Sequence, residues 1–352
     1  MIEIDGSVLE GGGQILRTSV ALSAVTGVPV RVFNIRAKRR NPGLRAQHLN
    51  AIKAVAELVG AKVEGLKIGS SEVRFFPSKP RAGNFRVDIG TAGSVALVLQ
   101  ALMPAAAFAP GTVRVVISGG TNAAMAPQID YTINVLLPIL ARMGYKASIE
   151  VLRRGCYPRG GGLVRAAIKP VKCLKPLVMV ERGKVKEVKG VSWCERLPRH
   201  VAVRQAEAAR RTLTERGLEN VDVKVEVGNT SLSPGSGVIL WALTDTGAVI
   251  GADSLGEKGK RAEIVGREAA EKLMEELKGG GALDSHAGDQ VIPYMALAKG
   301  KSKVTISKLT LHAQTNIYIV EKVLGIKFNV EGELNKPARV EVEGVGLENP
   351  NI

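Results

Sequence analysis

The chain has 352 residues, 45% of them hydrophobic, enough to build a substantial core in two or three domains. No apolar run has the length and purity of a membrane span, and the start, MIEIDGSVLEGGG, lacks the basic opening and apolar centre of a secretion signal. A soluble cytoplasmic protein with no membrane partner is expected, and the formal net charge of +16 points to a polyanionic one. Aromatic residues make up only 4%, a poor supply for stacking single-stranded bases, so phosphate contacts should outweigh base reading. Cys156, Cys173 and Cys194 fall in no CxxC or Cys/His ligand spacing, which indicates neither a zinc site nor a disulfide framework.

The first chemistry-bearing stretch is EGGGQILR, Glu10 to Arg17. No Lys-Ser or Lys-Thr follows its glycines, so it is not a Walker P-loop. Two readings remain open on the octamer alone. Glycines let backbone amides approach an oxyanion at a helix start, with Arg17 as a bidentate fork and Glu10 on a divalent cation. The plainer reading is a tight strand-to-helix turn with a surface salt bridge. Next comes a basic run, Arg36, Lys38, Arg39, Arg40 and Arg45, around the turn signal NPG and just before a helix. A basic run is ordinarily a solvated face, but one at a helix start favours anions.

A pattern then repeats. GGGQILRTSVALSAVTGVPVRVFNIR, TAGSVALVLQALMPAAAFAPGTVRVVISGG and HAGDQVIPYMALAKGKSKVTISKL each enter through small residues and form an apolar helix. Each then turns at glycine into an alternating strand. A second helix follows each time and ends at glycine. Gly27 and Gly111 are separated by 84 residues, and so are Gly60 and Gly144. The repeats span about 1–84, 85–177 and 279–352, and the last is shorter. Residues 178–278 read differently, as strand, helix, two strands and helix, and form a candidate inserted domain.

Four histidines are candidates for chemistry. His200 opens a charged helix and is expected at the surface. His286, in SHAGDQ, precedes a helix and could cap it. His48 follows the basic run by one helical turn. His312, in LHAQTN, stands where a strand of the third repeat meets its second helix. An isolated histidine there is more often a buried cap. Yet the equivalent corner of the first repeat carries the arginines and His48, and a neutral imidazole facing phosphates is a competent nucleophile.

EGGGQILR, IRAKRRNPGLRAQHL, GTAGSVALVLQ, RGCYPRGGGLV, HAGDQ and HAQTN, in this order, resemble the blocks of RNA 3′-terminal phosphate cyclases over essentially the full length. The resemblance implies an α/β (α+β) fold of three βαβαββ-type repeats. These form a large catalytic domain (1–177 and 279–352), with a smaller α/β domain (178–278) inserted between repeats two and three. It also implies a reaction. ATP adenylates a histidine, the adenylyl group passes to an RNA 3′-phosphate, and the 2′-hydroxyl displaces AMP to leave a 2′,3′-cyclic phosphodiester. By motif match the nucleophile is His312, and Glu10 is the ligand of Mg²⁺ or Mn²⁺. Arg17, Arg36, Arg39, Gln47 and His48 lie near phosphate or RNA. Gln100 and the HAGDQ loop, His286, Ala287, Gly288, Asp289 and Gln290, hold ATP, with the loop around the adenylate.

Three rivals fit parts of the sequence. A non-catalytic, cyclase-like RNA-processing protein would share the glycine blocks but lack the histidine nucleophile. An enolpyruvyl transferase uses similar repeats but has no comparable insert and needs no such histidine. A plain RNA-binding module explains the charge and leaves HAGDQ and HAQTN unexplained.

Overall fold

A computed structural model describes residues 1–352. It is a mixed α/β structure with four four-stranded sheets. The first unit runs β1 (Ile2–Asp5), α1 (Gly13–Thr26), β2 (Val30–Phe33), α2 (Ala46–Val59), β3 (Lys62–Glu64) and β4 (Val73–Phe76). The second begins with β5 (Gly83–Asp88), α3 (Val95–Ala106) and β6 (Val113–Gly119). Its second helix is broken into α4 (Ile129–Tyr131), a π-helical turn (Thr132–Leu136) and α5 (Leu137–Arg142). Two strands, β7 (Lys146–Arg153) and β8 (Gly162–Lys169), complete it.

A two-residue strand, β9 (Val178–Met179), comes next. The inserted stretch follows as β10 (Val185–Glu195), α6 (Arg199–Glu215), β11 (Val221–Gly228), β12 (Gly235–Thr244), β13 (Val249–Leu255) and α7 (Ala262–Lys278). The third unit resumes with α8 (Ser285–Gln290), α9 (Ile292–Leu297), β14 (Lys299–Ile306) and α10 (Leu311–Leu324). It ends in β15 (Phe328–Gly332) and β16 (Ala338–Val345).

Three sheets share one design: β1-β2-β4-β3, β5-β6-β8-β7 and β9-β14-β16-β15. In each, the first pair is parallel and the other two pairs are antiparallel. β9 therefore supplies the edge strand of the third sheet, where Lys303 and Val304 pair with Val178 and Met179. This moves the expected boundary at residue 178. The extra stretch interrupts the third unit after its first strand instead of preceding the unit. A two-residue strand is too short to leave a periodic signal in the sequence.

The inserted stretch forms its own sheet, β11-β10-β12-β13, backed by α6 and α7. Three strands, not the expected two, lie between its helices. The turn at Gly247, with φ of +79°, reverses the chain between β12 and β13. Val188, Leu213, Leu240, Ile250, Val265 and Leu273 belong to a small core of its own, separate from the large core of the three units.

α1 sits at the centre. Every residue from Gln14 to Ala24 is buried, and the helix packs against α2, α3 and α10. A helix covered on all sides needs no polar face. Ser19, Ala21, Ser23 and Ala24 keep it thin enough for three neighbours. It ends at Gly27 in the left-handed conformation. Residues projecting from the start of α1 thus meet all three units.

Candidate active site

The three glycines before α1 do different work. Gly11 adopts φ of +59°, which L side chains rarely accept. A Cβ on Gly12 would come within 2.1 Å of the Glu10 carboxylate, and one on Gly13 within 2.1 Å of His48 Nε2. The backbone is bare here so that a carboxylate and an imidazole can lie against it. Gly12 caps α1 without a side-chain hydrogen bond, so no side chain occupies the first amides of the helix. Such amides are donors for an oxyanion.

Glu10 is held from two sides. Its backbone N–H donates to Thr315 Oγ1 on α10 at 3.3 Å. Arg39 donates to its backbone carbonyl at 2.9 Å and pairs with carboxylate Oε1. The other oxygen, Oε2, is buried and accepts no hydrogen bond. A buried, unpartnered carboxylate oxygen is costly in a finished structure and suited to a cation. No group of three or more His, Cys, Asp or Glu side chains converges to hold a metal ion. Glu10 fits a Mg²⁺-type ion in the usual mode, one carboxylate with the remaining ligands from phosphates and water.

Arg17 is the hub. It projects from the second turn of α1, is buried, and donates from Nε to Gln100 Oε1 on α3 at 3.1 Å. Burial lowers its pKa to about 10, opposed by the charge of Asp289. It stays cationic at neutral pH. One turn on from Gln14, Thr18 donates to Asn316 Oδ1 at 2.7 Å, and Asn316 donates to the Asp289 carbonyl at 2.8 Å. A narrow crevice lined by Arg17, Thr18, Gln100, Gln290 and Asn316 marks this meeting of three units. A roomier cleft of about 200 Å³ lies elsewhere, at the seam between β7 and the inserted unit, lined by Arg153, Arg154, Glu195 and Glu226. It contains none of the expected site residues, so size is no guide here.

His312 opens α10, two residues after the Thr310 cap, whose hydroxyl accepts from the Ala313 N–H at 3.0 Å. The ring is solvent-exposed, not the buried cap that an isolated histidine would suggest. Its backbone carbonyl accepts from Gln14 Nε2 at 3.3 Å, which ties it to the glycine stretch. Partial desolvation, then the charges of Arg17, His286 and Arg39, hold its pKa below the ordinary imidazole value. The ring is therefore neutral, with a free lone pair, at neutral pH. His48 is buried, and its Nδ1 accepts from the Arg45 N–H at 3.3 Å. Burial and the charges of Arg17, Arg36 and Arg45 lower its pKa to about 3. With Nδ1 accepting, the neutral ring carries its proton on Nε2.

HAGDQ forms a short helix, α8, in place of the expected loop. Its cap is Asp284, not His286: the carboxylate accepts from His286 N–H at 3.0 Å and Ala287 N–H at 2.8 Å. His286 is exposed and stands edge-on to Tyr131, with ring centroids 6.1 Å apart. Ala287 and Gly288 turn into the core, and a Cβ on Gly288 would strike Ile306. Asp289 is buried and its pKa is pushed up to about 7 by desolvation, against the charges of His286 and Arg17.

The fold thus brings together Glu10, Arg17, Arg39, His48, Gln100, Asp289, Gln290 and His312. Arg36 is partly committed to its own loop, where it donates to the carbonyls of Asn41 at 2.7 Å and Gly43 at 3.2 Å. The Gln47 side chain makes no hydrogen bond and lies against the loop at Gly93. His200 is exposed on the first turn of α6, as expected. Thr315 and Asn316 escaped the sequence reading, although they lie three and four residues past His312, the spacing of one helix face. Tyr131 and Asp284 escaped it as well, and nothing in the sequence links two residues 153 positions apart.

A neutral histidine at a helix start, beside buried arginine and one open carboxylate on a repeated α/β body, suits a protein that handles phosphate groups. A family model described as RNA 3′-terminal phosphate cyclase matches residues 8–330. The chain belongs to that family. It is 55% identical over 350 residues to the RNA 3′-terminal phosphate cyclase of Ignicoccus hospitalis, covering 98% of this chain and 99% of that one. Identity to the proteins of the same description from Methanopyrus kandleri and Pyrobaculum aerophilum is 51% and 50%, with the same coverage. The enolpyruvyl transferase NikO of Streptomyces tendae aligns over 97% of this chain and 81% of its own. Its TM-score of 0.21 and 10% identity carry no argument.

Proposed function

We propose that the protein is an ATP-dependent ligase that converts an RNA 3′-terminal phosphate into a 2′,3′-cyclic phosphodiester. The neutral ring of His312 attacks the α-phosphorus of ATP, the bond to pyrophosphate breaks, and a histidine–AMP phosphoramidate forms. An oxygen of the RNA 3′-phosphate then takes the adenylyl group from His312. Finally the 2′-oxygen attacks the activated phosphorus and AMP departs. Arg17 and the open amides of α1 would stabilise charge on the phosphates, and Arg39 and His48 would position them. Gln100, Asp289, Gln290 and His286 would line the nucleotide side, with Ala287 and Gly288 shaping α8 from within. Glu10 would hold a divalent cation, Mg²⁺ or Mn²⁺, which supplies charge neutralisation when bound.

The same reading takes 1–177 and 279–352 as the catalytic body, adjusted to include β9, with the remainder as an inserted unit. It expects RNA 3′-phosphate ends as partners and no membrane; no helix is long and apolar enough to cross one. Reaction in the cytoplasm is part of the proposal.

One observation carries the reading: a neutral, accessible imidazole at the start of α10, within the field of Arg17 and Arg39. The test is incubation with α-labelled ATP. Wild-type protein should acquire an acid-labile, alkali-stable label, and His312→Ala, still folded, should acquire none and cyclise no RNA. A folded His312→Ala protein with full activity would overturn the proposal.

A further inference from the structure

The positive charge is unevenly placed. Residues 1–177 carry 24 Lys and Arg against 9 Asp and Glu, whereas residues 178–352 carry 25 against 24. The inserted unit and the third unit together are nearly neutral. Part of the excess is the Arg36–Arg45 run. Another part lies on a single surface, the solvent face of the sheet β5-β6-β8-β7.

Strand alternation and register fix which side chains share that face. Arg114 of β6 lines up with Ala167 of β8 and Ser148 of β7, and Arg86 of β5 with Val116, Arg165 and Glu150. Lys146 stands directly opposite Lys169. All five cations are exposed. Arg165 pairs with Glu150 at 3.0 Å. The other acid on the face, Asp88, lies within the field of Arg86 but accepts from the Ser118 hydroxyl and the Gly90 N–H rather than forming an ion pair. Arg86, Arg114, Lys146 and Lys169 form no ion pair. The corresponding faces of the first and third sheets neutralise themselves. Arg31 is held between Glu3 and Glu72, and Glu341 gathers Lys301, Lys303 and Arg339.

A charged strand face is most often simply solvated. Like charges facing each other across strands destabilise a sheet, however. Two sibling sheets offset this with acids, whereas here five cations face two acids and Lys146 stands opposite Lys169 with no acid between them. The geometry points to this face as the docking surface for the RNA backbone upstream of the reacting 3′ end. The inference rests on the cyclase reading and extends it to the body of the substrate.

The route from the site is short. β5 is an edge strand, and Asn50 of α2, one turn beyond Gln47, donates to the Ile89 carbonyl just past β5 at 2.9 Å. A chain whose 3′ end lies at the start of α2 reaches the face over that edge. Four strands give a width of roughly 15 Å. No aromatic side chain stands on the face, since Phe85 turns to the core. Recognition is therefore through phosphates and is indifferent to sequence.

The test is a fourfold variant, Arg86→Thr, Arg114→Thr, Lys146→Thr and Lys169→Thr, because threonine suits an exposed strand. A control removes equal charge from the third unit: Lys299→Thr, Lys301→Thr, Lys327→Thr and Lys336→Thr. Binding of a labelled 20-nucleotide RNA 3′-phosphate is measured from low to high salt. The face variant should weaken binding by about tenfold or more, and its salt slope should fall by up to about three. Adenylation by ATP and cyclisation of a dinucleotide 3′-phosphate should not change. Unchanged RNA affinity and slope, or an equal loss in the control, would overturn the assignment. If wild-type protein failed to adenylate, the cyclase reading would fall, while the binding comparison would still decide the surface.

Discussion

The phenol of Tyr131 donates a 2.6 Å hydrogen bond to Oδ1 of Asp284, and both residues are buried. Tyr131 belongs to the second unit and Asp284 caps α8 of the third. The other carboxylate oxygen, Oδ2, accepts from the N–H of Gly251 in the inserted unit at 2.8 Å. Nearby, Glu276 of α7 accepts from the Ser285 N–H at 3.0 Å and also receives the hydroxyls of Ser285 and Ser307. Two carboxylates thus fasten α8 to three parts of the chain. Burial, reinforced by Glu276, raises the Asp284 pKa.

Asp284→Asn should therefore be more damaging than its similar shape suggests. An amide has one acceptor oxygen where the carboxylate has two, so donors from Gly251 or from α8 are left unpaired. The expected loss is about 1–3 kcal/mol per orphaned group. Tyr131→Phe leaves three of the four donors in place and should cost about 1 kcal/mol. Denaturant unfolding ranks the two, and KM for ATP, measured on folded protein, should rise more in Asp284→Asn. A wild-type unfolding midpoint for Asp284→Asn would show that the junction holds nothing.

Much of this architecture is legible in the sequence, for identifiable reasons. The repeats announce themselves because the helix-ending glycines, Gly60, Gly144 and Gly325, all take positive φ, where other residues are strained. Glu10, Arg17 and His312 sit on short motifs at element starts, where spacing carries information. The strand β9 is only two residues long and leaves no period to read. The Arg39–Glu10 pair and the Asp284 junction are tertiary contacts between distant segments, and local pattern contains nothing about them. The HAGDQ helix is hidden by its glycine, which suggests a loop until Ile306 is seen filling the space beside it.

The histidines should titrate in opposite directions from Asp289. His48 has a folded pKa of about 3 against an ordinary 6.5, so the unfolded chain binds more protons between those values. Its contribution to stability is full above pH 6.5 and declines as pH falls toward 3, on the order of 1 kcal/mol per pH unit. Asp289, raised to about 7, binds its proton more tightly when folded, so its contribution shrinks as pH rises from about 4 to 7. Guanidinium unfolding at pH 5 and pH 7 should show a smaller acid loss in His48→Gln than in wild type. Asp289→Asn should instead lose less stability than wild type as pH rises. For His312 the downward shift places the acid limb of protein adenylation below pH 6.5. Single-turnover labelling from pH 5 to pH 8 locates it, and a limb above 6.5 would contradict the neutral-nucleophile reading.

Arg39 and Glu10 should not behave as independent residues. Their ion pair leaves Oε2 as the open oxygen, so removing Arg39 exposes the whole carboxylate. Glu10→Ala should cut adenylation steeply, with partial recovery at raised Mg²⁺ or Mn²⁺. Arg39→Ala should shift the metal concentration for half-maximal adenylation as well as weakening RNA turnover. In a double-mutant cycle the two effects should depart from additivity by more than about 0.5 kcal/mol, the usual margin for uncoupled sites. Additive effects with unchanged metal dependence would separate Arg39 from the cation site.

The three glycines of EGGGQILR make separate demands, and substitution can tell them apart. Gly11 needs only its positive φ, and Asn tolerates the left-handed region better than other side chains, so Gly11→Asn should adenylate while Gly11→Ala is strained by about 1–3 kcal/mol. Gly12 needs space, because an added methyl occupies the position of the Glu10 carboxylate. Gly12→Ala should therefore reproduce the metal-dependent defect of Glu10→Ala on a folded protein. Gly13→Ala puts a methyl where the buried His48 ring lies, so the ring or the chain must shift at a cost of about 1–3 kcal/mol. Its signature is a His48 whose titration moves upward from about 3, readable by NMR, because a displaced ring is better solvated. If all three alanine variants showed one common defect, the stretch would be a single rigid turn and the separate roles of Glu10 and His48 against it would be wrong.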